Sequence, residues 1–158
     1  MNIKFGNYLL DIDVEKTKEF YETAETITQG CDCLGCCNYE NATHKFPTEV
    51  FNLFDKIGVD ITKASEIIPY ASENDKKSIS YGGFYHICGT LLSDTVLWNT
   101  TDSEYFHLNE GKMYEVANDY KIGFRSECDL LEDNFPLPAV QMEISFICPW
   151  VLETENIY

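Results

Sequence analysis

The segment Pro138-Ala-Val-Gln-Met-Glu-Ile-Ser-Phe-Ile-Cys148 decides the fold class of this chain. Its apolar side chains recur at every second position, and the residues between them are mostly polar. A two-residue period places successive side chains on opposite faces of a strand, so the segment predicts a strand with one buried face. The inward positions are Val140, Met142, Ile144, Phe146 and Cys148.

Neighbouring segments extend the strand pattern over the C-terminal half. Residues 120–128 alternate in the same way, which predicts a second strand with Cys128 in the core. Residues 81–92 are apolar on both faces and therefore predict a central strand. Residues 104–108 and 112–117 flank the turn sequence Asn109-Glu110-Gly111, which predicts a hairpin.

A helical period of 3.6 residues dominates the N-terminal half instead. The predicted elements there are a short strand at 7–12, a helix at 14–25 capped by Asp13, a helix from near Cys36, a third helix ending at Gly58, and a helical turn at 62–67. Helices first and strands later predict an α+β fold, in which N-terminal helices pack on one face of a mostly antiparallel sheet.

Length and composition predict one acidic domain over residues 1–158. The chain is 44% hydrophobic, which is enough for a substantial core. It carries 27 acidic and 11 basic residues, a net charge of −16. Phosphate backbones and anionic membranes attract Lys and Arg, so this charge disfavours nucleic-acid and membrane partners. The same charge favours a basic protein as partner.

The cysteine usage and the N-terminal segment predict a cytoplasmic protein. Residues 1–7 lack a basic region followed by a long apolar run, so no signal peptide is indicated. Seven cysteines is an odd number, which suits free thiols or metal ligation better than a disulfide framework. Thiols stay reduced in the cytoplasm.

Four of the seven cysteines lie in the run Gly30-Cys-Asp-Cys-Leu-Gly-Cys-Cys-Asn38. Cys33 and Cys36 form a C-x-x-C that can bind zinc through thiolates, and Cys31 can supply a third sulfur. A closed zinc site needs four ligands, and the chain has no second C-x-x-C. The predicted metal site is Cys31, Cys33, Cys36 and His86, with Cys37 and His44 as other sources of the fourth ligand.

Two other interpretations of the cluster stay open. A thiol at a helix N-terminus has a lowered pKa, which suits redox chemistry, although the charge of Asp32 would raise the pKa of a neighbouring thiol. Alternatively, the reduced thiols pack as small apolar groups. All three interpretations place Cys31, Cys33 and Cys36 within a few ångströms of one another. His86 has its own alternative, a hydrogen-bonded core histidine beside Cys88.

Five segments together form a recognisable pattern. They are residues 13–17 with Phe20-Tyr21, the Cys-x-Cys-x-x-Cys-x-Asn of 31–38, Gly58-Val59-Asp60, residues 82–86, and Pro149-Trp150-Val151-Leu152. The pattern resembles an uncharacterised family of small bacterial cytoplasmic proteins and spans nearly the whole chain, with Cys37 outside it. The resemblance implies a bacterial, soluble, single-domain protein and implies no activity.

The sequence contains no complete catalytic motif, so the question of enzymatic activity stays open. Charge and size favour a non-enzymatic acidic binding protein, of the immunity or accessory type, that acts on a basic partner. The alternative function is a thiol-dependent protein centred on the cysteine cluster, which binds a metal such as zinc or carries out redox chemistry.

Overall fold

A computed structural model describes residues 1–71, 76–100 and 106–158. Its strands are β1 (Asn2–Phe5), β2 (Tyr8–Ile12), β3 (Glu66–Tyr70), β4 (Ser78–Leu91), β5 (Trp98–Thr100), β6 (Phe106–Leu108), β7 (Tyr114–Ala117), β8 (Tyr120–Arg125) and β9 (Ala139–Pro149). Its α-helices are α1 (Val14–Thr23), α2 (Ile27–Gly30), α3 (Leu34–Ala42) and α4 (Thr48–Ile57). Short 3-10 turns cover Thr43–Lys45 and Glu110–Lys112.

Seven of these strands form an antiparallel sheet around β4 and β9, and β5 and β6 form a separate two-stranded sheet. The order is β1-β2-β4-β9-β8-β7, and β3 pairs with β4 on the side away from β9. β4 and β9 pair from Ser78 opposite Pro149 to Cys88 opposite Ala139. The predicted α+β fold and the predicted central strand are therefore confirmed, and the four α-helices all precede Gly58.

One face of the sheet packs against α3 and α4 through aromatic rings. Tyr39 of α3 lies 5.2 Å from Tyr81, measured between ring centroids, and Phe54 of α4 lies 5.0 Å from Tyr85. The five alternating apolar positions predicted for β9 are all buried on this strand. The edge-to-face contacts of Tyr39 with Tyr81 and of Phe54 with Tyr85 each contribute about 0.5–1.5 kcal/mol to stability, in addition to the effect of burying their surface.

The first helix completes one edge of β4 in place of a strand. A part of β4 between its β3-paired and β2-paired stretches bonds to α1 instead. The Tyr21 hydroxyl donates to the His86 carbonyl at 3.0 Å and accepts from the His86 N–H at 3.2 Å. Thr17 Oγ1 accepts from the Cys88 N–H at 3.1 Å. Buried backbone groups need partners, and these bonds also fix the position of α1 on the sheet.

The predicted helical turn at 62–67 is wrong, because β3 begins at Glu66 and pairs with β4 as far as Tyr70. Pro69 lies within β3. Proline lacks an N–H and is tolerated on an edge strand, where one row of backbone groups needs no strand partner. The pairing with β4, which a local period does not encode, therefore determines this segment.

The predicted hairpin around Asn109 is also wrong. β6 pairs with β5, and β7 pairs with β8, so the segments on either side of this turn do not pair with each other. Residues 104 and 105 of the prediction lie outside the described residues. The Asn109 N–H donates to the Leu97 carbonyl at 2.8 Å, which directs the chain back towards β5.

Among the described residues, no helix has the length and apolar character needed to cross a membrane.

Candidate metal centre

The start of α3 brings the cysteines together. Cys33 is the N-cap of α3, and its sulfur accepts a hydrogen bond from the Cys36 N–H at 3.4 Å. Cys31 follows the short helix α2, and its N–H donates to the Ile27 carbonyl at 3.0 Å. An N-cap residue is extended and aims its side chain at the first turn, so Cys33 lies over Cys36.

The sulfurs of Cys31, Cys33 and Cys36 all lie within 4.8 Å of one another, which confirms the predicted proximity. Cys36 is 2% exposed, whereas Cys31 and Cys33 are half-buried. Thiolates bound to one tetrahedral zinc at about 2.3 Å lie roughly 3.8 Å apart. Side-chain rotations that move the sulfurs about 1 Å closer together would therefore convert this cluster into a three-sulfur metal site.

The last residue of the sequence closes the other side of the cluster. The Gly35 N–H donates to the Tyr158 hydroxyl at 3.2 Å, and the Gly35 carbonyl accepts from Tyr81 at 2.8 Å. A Cβ at Gly35 would lie 2.7 Å from Pro69 Cγ, so α3 approaches β3 closely at this point. Tyr158 is 123 positions from Gly35, and no local sequence signal points to it.

The pKa values of the clustered thiols move in opposite directions. Burial raises the pKa of Cys33, but hydrogen bonds from the Cys36 N–H, the Cys31 and Cys36 thiols and the Tyr158 hydroxyl outweigh it, so that this pKa lies below its ordinary value. Burial raises the pKa of Cys36 far above its ordinary value, and the neighbouring sulfurs raise it further. Cys33 is therefore the member of this pair that ionises first.

The charge of Asp32 raises the pKa of Cys37. Burial raises the pKa of Cys37, and the charges of Cys33 and Asp32 add to that increase. The Cys37 sulfur faces the Asp32 carbonyl at 3.6 Å and does not join the three-sulfur cluster. The increase in thiol pKa expected from Asp32 is thus seen at Cys37, which lies outside the Cys-x-Cys-x-x-Cys-x-Asn pattern.

The structure does not bring His86 to the cysteines. Its Nδ1 lies 3.1 Å from Ser65 Oγ, and its ring packs 5.6 Å from the ring of Phe135. Tyr81, which reaches the cluster through Gly35, is five positions away on β4, or about 16 Å at the rise of a strand. His86 thus takes the alternative role of a hydrogen-bonded core histidine.

Within the described ranges, the three sulfurs are joined by no fourth cysteine, histidine or carboxylate. His44 is exposed on the 3-10 turn beyond the far end of α3. The four-ligand site predicted from sequence is therefore reduced to Cys31, Cys33 and Cys36.

The prediction that Cys128 is a core residue is wrong. β8 ends at Arg125, and Cys128 is half-buried in the following loop with its sulfur 3.8 Å from the Ser126 carbonyl. The alternation in this segment thus extends beyond the strand itself. Cys88 and Cys148, each 1% exposed, lie in the core as predicted.

A polar network on β9 was missed by sequence reasoning. Glu143 is 5% exposed and accepts hydrogen bonds from Arg125 Nε at 2.9 Å, Gln141 Nε2 at 2.7 Å and Trp98 Nε1 at 3.3 Å. Burial raises the pKa of Glu143 despite these bonds. Strict alternation predicts Gln141 and Glu143 on a solvent face, but Trp98 and Arg125 cover them. The only available signal was that Arg125 is the single arginine of the chain.

A groove of about 800 Å³ opens beside this network. Trp98 and Arg125 form part of its lining, together with the exposed carboxylates of Asp94, Glu127 and Asp129. Arg125 is already paired with Glu143 and Asp129. The groove therefore presents more negative than positive side chains.

Comparisons of the chain with protein-family models, with curated proteins and with solved structures give no match.

Proposed function

We propose that the protein binds a thiophilic metal ion through Cys31, Cys33 and Cys36. The observation that carries this proposal is that the three sulfurs lie within 4.8 Å of one another. The proposal assumes a reducing compartment such as the cytoplasm, because thiolates and not disulfides bind metal. Membership of the bacterial family that the chain resembles is part of the same proposal.

The donor set indicates which metals suit the site. Soft thiolates select zinc or copper(I) over hard cations such as magnesium and calcium. Three protein ligands leave the fourth position of a tetrahedral zinc for a ligand from solution, unlike a closed structural site. The half-buried Cys31 and Cys33 leave one side of the cluster accessible to such a ligand.

A zinc titration of reduced, metal-free protein against a chromophoric chelator tests the proposal. We expect one zinc per chain and a loss of affinity of at least about tenfold in Cys33→Ser. Serine is also a good N-cap, so this variant keeps the start of α3. Cys37→Ser is the matched control, because Cys37 lies next to the cluster but outside it.

Absence of zinc binding would overturn the proposal. Equal zinc affinities of Cys33→Ser and Cys37→Ser would overturn it as well, because binding would then not depend on the three clustered sulfurs.

A second candidate is an acidic binding protein, of the immunity or accessory type, that acts on a basic partner. It is supported by the net charge of −16 and by the groove that Asp94, Glu127 and Asp129 line. A Lys or Arg side chain of a partner entering this groove would meet the carboxylates of Asp94 and Glu127 beside the Arg125–Asp129 pair, an arrangement that favours a cation.

Binding of a lysine-rich fluorescent peptide, followed by anisotropy at several salt concentrations, tests this candidate. We expect the double variant Asp94→Asn, Glu127→Gln to weaken binding about fivefold or more, and salt to weaken binding to the unmodified protein. The control Glu15→Gln, Glu22→Gln removes the same charge from the exposed face of α1. Equal losses of peptide affinity in the two double variants would mean that binding depends on net charge alone and not on this groove.

A further inference from the structure

The paired sulfurs of the C-x-x-C differ in their access to solvent. Cys36 is 2% exposed in the first turn of α3, whereas Cys33 is half-buried at the N-cap. A dissolved molecule of modest size therefore reaches the Cys33 sulfur before it reaches that of Cys36. Thiol–disulfide exchange needs an accessible attacking sulfur and a second sulfur close enough to complete the reaction.

The positions of Cys33 and Cys36 also permit a disulfide between them. Cys33 is the extended N-cap of α3 and Cys36 lies in its first turn, so the two side chains are neighbours. Their sulfurs lie within 4.8 Å, and a disulfide bond is about 2.05 Å long. The Cys36 N–H points at the Cys33 sulfur at 3.4 Å and so stabilises the negative charge that this sulfur carries before it attacks.

We propose that the metal-free cluster reduces low-molecular-weight disulfides of the glutathione type, with Cys33 as the attacking sulfur and Cys36 as the resolving one. The Cys33 thiolate attacks one sulfur of the substrate disulfide, forms a mixed disulfide and releases one thiolate. Cys36 gives its proton to water and attacks the Cys33 sulfur, which forms the Cys33–Cys36 disulfide and releases the second thiolate. In sum, the protein dithiol loses two electrons and two protons, and the substrate becomes two thiols.

This activity goes beyond metal binding but uses the same sulfurs. A metal held by Cys31, Cys33 and Cys36 occupies the lone pairs that attack a disulfide, and a Cys33–Cys36 disulfide has no thiolate left to offer a metal. Metal and disulfide are thus alternative states of one pair of cysteines.

The test uses oxidised glutathione and the chain of residues 1–158. Reduced, metal-free protein is incubated with oxidised glutathione, quenched with N-ethylmaleimide at intervals and mapped by peptide mass spectrometry. We expect the unmodified protein to gain a Cys33–Cys36 cross-link and to retain no glutathione. Cys36→Ser should retain one glutathione on Cys33, because its resolving sulfur is absent. Cys33→Ser should react at least about tenfold more slowly, and the control Cys37→Ser should react like the unmodified protein.

The results separate this inference from the proposed metal function. Glutathione trapped on Cys31, a Cys31–Cys33 cross-link or no protein disulfide at all would overturn the roles given to Cys33 and Cys36. If the reduced protein binds zinc but gives any of those results, the metal-binding proposal stands and the exchange activity is overturned. Cross-linking in a protein that binds no zinc would support the exchange activity and overturn the metal-binding proposal. If both functions hold, zinc should slow cross-linking at least about tenfold, and the cross-linked protein should no longer bind zinc.

Discussion

At the scale of single residues, Asn38 joins the cysteine-bearing helix to the end of the sheet. Its side chain is fully buried and donates to the Tyr81 hydroxyl and to the Pro149 carbonyl, each at 3.1 Å. Its oxygen accepts from the Val151 N–H at 2.7 Å. One amide therefore links α3, β4 and the segment that follows β9, close to the cluster.

We expect Asn38→Ala to lower the free energy of unfolding by about 2–4 kcal/mol, because Tyr81, Pro149 and Val151 each lose a hydrogen bond at this junction. Urea unfolding of the metal-free protein gives this value. Asn52→Ala, an exposed position on α4, is the matched control and should change stability by less than about 0.5 kcal/mol. Equal effects at the two positions would show that the hydrogen bonds of Asn38 do not stabilise this junction.

His86 makes stability depend on pH. Burial lowers the pKa of this histidine, although hydrogen bonds with the Gln141 side chain and with the Asp129 backbone act in the opposite direction. The unfolded chain binds the proton near the ordinary value of about 6.5, and the folded chain binds it only at lower pH. The stabilising effect of this shift is therefore complete above about pH 6.5 and is lost as the pH falls through the lowered pKa of the folded state.

We expect the free energy of unfolding to fall as the pH drops below about 6.5, with a slope of up to about 1.4 kcal/mol per pH unit from this histidine. In His86→Gln this part of the slope should disappear. Urea unfolding at several pH values measures both proteins, and a slope unchanged in His86→Gln would contradict the assignment.

At the scale of secondary structure, the helix ends follow local chemistry closely. Asp13 caps α1 by accepting the Lys16 N–H at 3.2 Å, as its sequence position predicts. Gly58 ends α4 with a φ of 79°, and the following Val59 N–H donates to the Phe54 carbonyl at 3.0 Å. Glycine adopts this left-handed conformation without steric penalty.

We expect Gly58→Ala to lower the free energy of unfolding by about 1–3 kcal/mol. The positive φ is unfavourable for alanine, and the new Cβ would lie 2.7 Å from the Val14 carbonyl oxygen of α1. Gly30→Ala is the matched control, because a Cβ there meets nothing within 4 Å. Thermal and urea unfolding should show Gly30→Ala unchanged or slightly more stable, and an equal loss in both variants would refute the argument.

At the scale of the whole molecule, negative charge exceeds what the ion pairs neutralise. Within the part of the chain that the structure describes, ion pairs reach six of the acidic side chains: Asp11, Asp13, Asp60, Glu110, Asp129 and Glu143. The sequence contains 27 acidic residues. Repulsion among the remaining carboxylates opposes the compact state.

We expect added salt to stabilise the protein, because the screening length falls from about 30 Å at 0.01 M to about 8 Å at 0.15 M ionic strength. The melting temperature should rise by several degrees, which corresponds to an increase of roughly 1 kcal/mol in the free energy of unfolding for a chain of this size. Sodium chloride and sodium sulfate at equal ionic strength should act alike if screening is the cause. A melting temperature that stays constant or falls would contradict the argument.

Several features followed from the sequence alone because their causes are local. The period of β9, the cap at Asp13 and the end of α4 at Gly58 depend on residues within one strand or one helical turn. The proximity of Cys31, Cys33 and Cys36 has the same origin, since the three lie within six consecutive residues at the start of a helix.

Other features were decided only by the tertiary structure, because they depend on which remote segments meet. The pairing of β3 with β4 replaced a predicted helical turn, and Trp98 and Arg125 buried Glu143 on a strand face expected to be solvated. Tyr158 reached Gly35 across 123 positions, while His86 stayed in the core beside Ser65. Sequence periodicity specifies which face of an element is apolar, whereas the long-range packing of the chain determines what covers that face and which side chains complete a site.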